Sequence, residues 1–322
     1  MLKNSSSGIL GERPAFLFPG QGSQGVGMGK DLYENSPAAR KVFNDVDDAL
    51  GEPLTELMFM GPKEELSRTW NCQPAIMTVS LASLAAAAET DSKAVVHPFL
   101  MAGHSLGEYS ALVAAGVMDL GKAATLVRER GRLMEEACQK LPGSMAAILG
   151  MEQEAVEEVC KEVGTQIANI NSPGQIVISG EQNSITRAIE LAKEKGARRA
   201  VLLQVSGAFH SYLMGPALDG MMKALNAVDF HHPEIPVIAN CTAKPLRANR
   251  EVKEELAEQL CGCVRWEDCI RYMADEGATS FIEFGPGNVL TGLAKKISEG
   301  TPAMAVNDMT SVRNLVGHTT TN

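Results

Sequence analysis

Apolar and polar positions along this chain alternate between two periods. Short apolar runs at 15–18, 98–102, 145–149, 235–240, 280–284 and 303–306 are too short for helices and read as buried strands. Between them, 30–50, 73–90, 108–117, 120–139, 212–228, 249–260, 265–276 and 289–297 carry apolar residues at helical spacing. Strands alternating with helices in this way predict an α/β protein built on a parallel sheet. The stretch 75–88 is the longest apolar run, but Thr78, Ser80 and Ser83 interrupt it, so it reads as a buried helix and not a membrane span. Asp119 is placed to cap the helix over 120–139. The inner stripe of that helix runs Ala123, Leu126 and Val127, Arg130, Leu133 and Met134, Ala137.

The pattern changes after Pro142-Gly143. From there the order is strand (145–149), helix (152–163), strand (166–171), strand (175–179), helix (182–195) and strand (199–205), with Ser172-Pro173-Gly174 turning the central hairpin. That βαββαβ order is the ferredoxin-like unit. The expected organisation is therefore a large α/β subdomain over 13–141 and 207–308, interrupted by a small ferredoxin-like subdomain over 142–206. The termini, 1–12 and 310–322, are expected to be mobile.

Composition narrows the function without choosing it. The 322 residues are 45% hydrophobic and 21% charged, which suits a soluble globular protein, and the net charge of −10 disfavours nucleic acid or an anionic membrane as the main partner. Seven cysteines with no repeated metal-ligand spacing point to free thiols in a reducing compartment, so a cytoplasmic protein with no metal is expected. The first residues contain no apolar core of signal-peptide length.

Candidate chemistry centres on Gly103-His104-Ser105-Leu106-Gly107, set between a strand and a helix. Gly-x-Ser-x-Gly in that setting is the nucleophile-elbow pattern, which lifts the serine hydroxyl above the sheet beside the free N–H groups of a helix start. Only one strand precedes this one, whereas an α/β-hydrolase needs several before its nucleophile, so the elbow belongs to another α/β architecture. Gly20-Gln21-Gly22-Ser23-Gln24-Gly25 also follows a strand and has dinucleotide-loop spacing. The segment after it is helical and lacks the acidic strand end that such a site requires, so the nucleotide reading fails. Among the six histidines, His210 lies at a strand end among Gly207, Ala208 and Ser211 and is the candidate base. His104 reads as a support for the turn, and His97, His231, His232 and His318 as structural or solvated. Arg130 lies in an apolar stripe and must find an anion. From spacing alone, an internal carboxylate and a substrate carboxylate remain equal alternatives.

With these residues in place, the chain resembles the malonyl-CoA:acyl carrier protein transacylase family over about 13–308. The resemblance rests on Phe-Pro-Gly-Gln-Gly-Ser-Gln at 18–24, Gly-His-Ser-Leu-Gly-Glu at 103–108, Arg-Gly at 130–131, Asn-Ser-Pro-Gly-Gln at 171–175, Ala-Phe-His-Ser at 208–211 and Gly-Pro-Gly at 285–287. It implies Ser105 as nucleophile, His210 as base and the backbone amides of Gln21 and Leu106 as an oxyanion hole. It further implies Arg130 as the clamp on a malonyl carboxylate, with Gln259, Asn171 and His104 around the substrate. Gln259 is the expected source of a carbonyl that orients the histidine, although this chain has Gly262-Cys263 where the commoner family pattern has Asn-Pro. Malonyl-CoA and acyl carrier protein are the implied partners, and no cofactor is implied. An acyl hydrolase on the same fold and an inactive carrier-protein-docking module are the alternatives.

Overall fold

The computed structural model describes residues 11–91 and 98–317. Residues 1–10, His97, His318 and the last residues lie outside it, as does most of the expected N-terminal tail. Among the described residues ten strands form two sheets: β1 (Pro14–Phe18), β2 (Leu100–Gly103), β3 (Ser144–Leu149), β4 (Gln166–Ser172), β5 (Gln175–Gly180), β6 (Arg199–Leu202), β7 (Val237–Ile238), β8 (Pro245–Leu246), β9 (Ser280–Phe284) and β10 (Ala303–Val306). The six-stranded sheet has the order β10-β9-β1-β2-β7-β8, and only the β7–β8 pair is antiparallel. The four-stranded sheet is antiparallel in the order β4-β5-β3-β6, which is ferredoxin-like connectivity.

The side-chain alternation of β1 explains why the large sheet needs a layer on each face. Phe16 and Phe18 enter one apolar cluster with Phe284, while Ala15 and Leu17 enter the other with Leu100, Trp266 and Phe281. Helix Thr69–Thr90 fills the first layer and is buried on nearly every side, between the helices Pro37–Leu50, Leu120–Lys140 and Met309–Gly317. Its apolar character all round is therefore a packing requirement. The smaller sheet has its own core, including Ile148, Val159, Ile178 and Ile185. Its edge strand β4 does not face water throughout. Ile170 N donates to Val264 O at 2.9 Å and Val264 N to Ala168 O at 2.8 Å, so the segment before helix Trp266–Asp275 covers that edge and ties the two sheets together.

Several boundaries differ from the sequence reading, each for a local reason. The single helix expected over 30–50 is two, Lys30–Asn35 and Pro37–Leu50, because Ser36 is extended and caps the second through Ala39 N at 3.0 Å. The helix expected over 212–228 starts as a 3₁₀ turn, Tyr212–Ala217, containing Pro216, and becomes α-helical only at Leu218–Asn226. The strand expected over 235–240 pairs only at Val237–Ile238, which frees Asn240 for another task.

The expected mobile tail from 310 is corrected through Gly317. Helix Met309–Gly317 packs Val312 and Leu315 fully out of solvent against helix Thr69–Thr90. Truncating such a side chain leaves a cavity that neighbours cannot wholly fill. Leu315→Ala should therefore lower the unfolding free energy by about 2–5 kcal/mol, read from the denaturant midpoint at unchanged slope.

Candidate active site

The elbow is built by close backbone approach. His104 N donates to Phe18 O at 3.0 Å, which continues the β1–β2 pairing into the turn. A Cβ on Gly103 would lie 1.9 Å from the backbone of Gly107, and one on Gly107 would lie 2.0 Å from Phe18 O, so neither position accepts a side chain. Ser105 between them has φ 51°, a left-handed conformation costing a serine on the order of 1–3 kcal/mol. Two distant amide side chains hold it there. Ser105 N donates to Asn240 Oδ1 at 2.7 Å, and Ser105 O accepts from Gln259 Nε2 at 3.0 Å.

His210 reaches the serine from the segment after β6. Its Nε2 lies 2.8 Å from Ser105 Oγ, while Nδ1 lies 2.8 Å from Gln259 O and 3.2 Å from Gly262 O. Carbonyls can only accept, so Nδ1 carries the proton and Nε2 is free to accept one from Ser105. Backbone carbonyls thus occupy the position that an acidic residue holds in a serine triad, and Gly262 at the departure from the family pattern supplies one of them. Burial first, and then the Arg130 charge, push the His210 imidazole down to about 3. His104 has a different role. Its Nε2 lies 2.9 Å from Asn171 Oδ1 at the end of β4, and its ring lies 5.5 Å from that of Trp266, so it joins the two sheets behind the elbow. His231 and His232 are exposed.

Arg130 is 1% exposed, and its hydrogen-bond partners are neutral. Its Nη1 donates to Gln73 Oε1 at 2.8 Å, and Nη2 donates to Gln259 Oε1 at 2.9 Å and Ser105 Oγ at 3.2 Å. Among the described residues no carboxylate lies within 4.0 Å of it, and its Nε has no hydrogen-bond partner. The internal ion pair is therefore not formed. Gly131 makes this approach possible, because a Cβ there would lie 2.6 Å from Thr69 O at the start of the neighbouring helix. Behind Gln259, the buried Glu108 and Glu255 are both shifted upward by desolvation, Glu108 also by its proximity to Glu255. Glu108 accepts from Gln259 Nε2 and from Asn240 N.

A cleft of about 700 Å³ opens over Ser105. Gln21, His104 and Leu290 line it from the large sheet's side, and Asn171, Val177 and Leu203 from the small one. The amides of Gln21 and Leu106 donate to no protein acceptor among the described residues. The eight residues singled out from the sequence all fall in or beside this cleft. Gln73 and Asn240, which hold Arg130 and Ser105, were not foreseen, since each is an isolated amide in an unremarkable segment. Among the described residues there is no group of three or more His, Cys, Asp or Glu that could hold a metal ion, and no helix is long and apolar enough to cross a membrane.

A strand–serine–helix elbow with a histidine on its hydroxyl, roofed by a ferredoxin-like sheet, defines the acyltransferase class. The chain belongs to the family described as Acyl transferase domain, whose profile matches residues 15–320, and within it to the malonyl CoA-acyl carrier protein transacylases. It is 48% identical over 299 residues to the malonyl CoA-acyl carrier protein transacylase of Bacillus subtilis, covering 91% of this chain and 93% of that one. The crystal structure of acyl-carrier-protein-S-malonyltransferase from Bartonella henselae superposes with a TM-score of 0.91 at 44% identity, covering 95% and 98% of the two chains. A malonyl-transacylase solved in complex with its type II PKS acyl-carrier protein is 40% identical, with a TM-score of 0.90 over 95% of this chain and 99% of that one.

The depressed His210 has a consequence for stability. Below its ordinary value near 6.5 the unfolded chain takes up a proton that the folded site refuses until about pH 3. The unfolded state then binds more protons, so this contribution is complete above pH 6.5 and is lost as pH falls toward 3. Denaturant titrations across that window should show a shallower decline for His210→Gln than for the parent.

Proposed function

We propose that this chain transfers the malonyl group of malonyl-CoA to the phosphopantetheine thiol of an acyl carrier protein, in two steps through a malonyl ester on Ser105. The observation that carries this reading is the buried Arg130, a cation with no carboxylate partner among the described residues, within hydrogen-bond distance of the serine that would be acylated. A malonyl carboxylate supplies the missing anion and can pair with two guanidinium N–H groups side by side. The malonyl-transacylase relatives and the relative solved with a carrier protein support the same substrates.

In the first step His210 Nε2 takes the Ser105 proton as Oγ attacks the thioester carbonyl. The amides of Gln21 and Leu106 receive the developing oxyanion, and the imidazolium returns its proton to the departing CoA thiolate. In the second step the carrier-protein thiol gives its proton to His210 and attacks the ester, and Ser105 recovers the proton as it leaves. Gln259 supports both ends of this machinery, with its carbonyl on His210 and its side chain on Arg130 and Ser105. His104 and Asn171 shape the floor of the cleft where the two lobes meet. Substrate binding also tunes the base. Burial first and the Arg130 charge second depress His210, and a carboxylate on Arg130 offsets the second of these as the acyl group arrives.

The division into a large subdomain and an inserted unit over 142–206 follows the two sheets in this reading, with the large part extending through helix Met309–Gly317. A cytoplasmic setting fits the free thiols and the metabolic substrates. No metal or organic cofactor enters either step.

Intact-mass measurement after mixing with malonyl-CoA tests the first step. The parent should gain one malonyl group and Ser105→Ala none; a malonylated Ser105→Ala would reassign the nucleophile. Arg130→Ala should remain folded, lose malonyl transfer by about a hundredfold and shift its preference toward acetyl-CoA, since a desolvated carboxylate without a partner costs several kcal/mol. Equal losses with malonyl-CoA and acetyl-CoA would end the clamp assignment.

A further inference from the structure

We infer that Asn240 is the positioning residue of the elbow, acting on Ser105 through the backbone and not on the substrate. This rests on the reading of Ser105 as the nucleophile. β7 stops pairing at Ile238, so Asn240 leaves the large sheet beside the end of β2. There its fully buried carboxamide bridges the turn, with Oδ1 accepting from Ser105 N at 2.7 Å and Nδ2 donating to Gly103 O at 2.7 Å. These two bonds fix the peptide planes on either side of His104. Asn240 is itself held, its amide donating to Glu108 Oε1 at 3.3 Å and its carbonyl accepting from Arg265 N at 2.9 Å.

The chemistry requires one acceptor and one donor on the same small group. Ser105 at φ 51° is in a conformation that serine leaves readily when nothing holds it, and a turn relaxed to negative φ carries Oγ away from His210. Alanine removes both bonds. Aspartate separates them by pH. Protonated, it accepts from Ser105 N and donates to Gly103 O as asparagine does; ionised, it presents only acceptors and sets a negative charge against the Gly103 carbonyl.

The titratable and charged groups facing this position are Glu108 from helix Gly107–Ala114, Glu255 from helix Asn249–Glu258, the adjacent Cys241, and Cys269 from helix Trp266–Asp275. Arg130, His104 and His210 lie across the elbow, and the Arg265 guanidinium is engaged at the surface by Asp268. Burial beside two glutamates raises an introduced carboxyl above the usual carboxylate range, so its protonated form persists to higher pH.

The experiment is single-turnover malonylation of Ser105 by malonyl-CoA, followed by quenched intact mass across pH, on the parent, Asn240→Ala and Asn240→Asp. Malonyl-CoA affinity is measured separately in a Ser105→Ala background with and without Asn240→Ala. Asn240→Ala should slow acylation by about a hundredfold while affinity changes by less than about threefold, because a misplaced nucleophile loses rate and not binding. Asn240→Asp should acylate at the parent rate at low pH and decline as pH rises, along a limb that neither the parent nor Asn240→Ala shows. Parent-like acylation by Asn240→Ala, a loss carried by affinity, or an Asn240→Asp profile parallel to the parent's at every pH would overturn the assignment. A parent chain that takes no malonyl group would instead overturn the reading of Ser105.

Discussion

A guanidinium buried without a carboxylate is the constraint around which the site is arranged. Moving a cation out of water is costly unless its donors are met, and here two glutamines and the serine hydroxyl meet only part of the demand on Arg130. Pairing it with a fixed aspartate or glutamate would satisfy the charge and close the site to any other anion. The neutral partners keep the geometry while leaving the electrostatic demand open. Glu108 lies one residue further back, behind Gln259, and desolvation holds its carboxyl well above the usual range, so it does not serve as the permanent counter-ion. In the proposed reading, an arriving carboxylate is stabilised by a charge the protein has already taken out of water.

In the proposed reading the same charge bears on recognition and on reactivity. Arg130 donates to Ser105 Oγ, and its charge adds to the burial that depresses His210. In the proposed reading, a carboxylate on Arg130 offsets that charge, whereas a neutral acyl group leaves it in place. Under that reading, discrimination between substrates extends to the rate of acylation as well as affinity, which is where differential transition-state stabilisation has its effect.

Local rules expose some of this and hide the rest. Arg130 was legible because helical spacing places it in a stripe with Ala123, Val127 and Met134, where a charge is out of place. Ser105 was legible because glycines flanking a serine at a strand–helix junction are what a nucleophile elbow needs sterically, and the βαββαβ unit because its turn and periods fall in order. His210 could be singled out from its small neighbours, but its pairing with Ser105 spans 105 positions and follows from no local pattern. Asn240 is more distant still, 135 residues from the amide it holds, and an asparagine at a strand end ordinarily reads as a stop signal. The helix Met309–Gly317 escaped for a related reason. Its Thr310, Ser311 and Asn314 look like a solvated tail, and only the apolar surface of helix Thr69–Thr90 makes Val312 and Leu315 into core residues.

The division between legible and hidden parts follows from how the site is assembled. The reacting groups lie on segments whose local sequence must build an elbow, a capped helix or a tight loop, and such segments carry recognisable residue types. The groups that hold them, Gln73, Asn240 and the carbonyls of Gln259 and Gly262, contribute one hydrogen bond or a pair each from ordinary helix and loop positions. Backbone carbonyls are available from any residue, which is why Gly262-Cys263 can stand where relatives commonly have Asn-Pro and still orient His210. What that loop must preserve is its path, which is held by Gly262 N on Glu258 O, by Arg265 N on Asn240 O and by Val264 on the edge of β4. The small sheet therefore helps hold the loop that carries these carbonyls as well as roofing the cleft, alongside the end of helix Asn249–Glu258 and the side-chain bonds of Gln259.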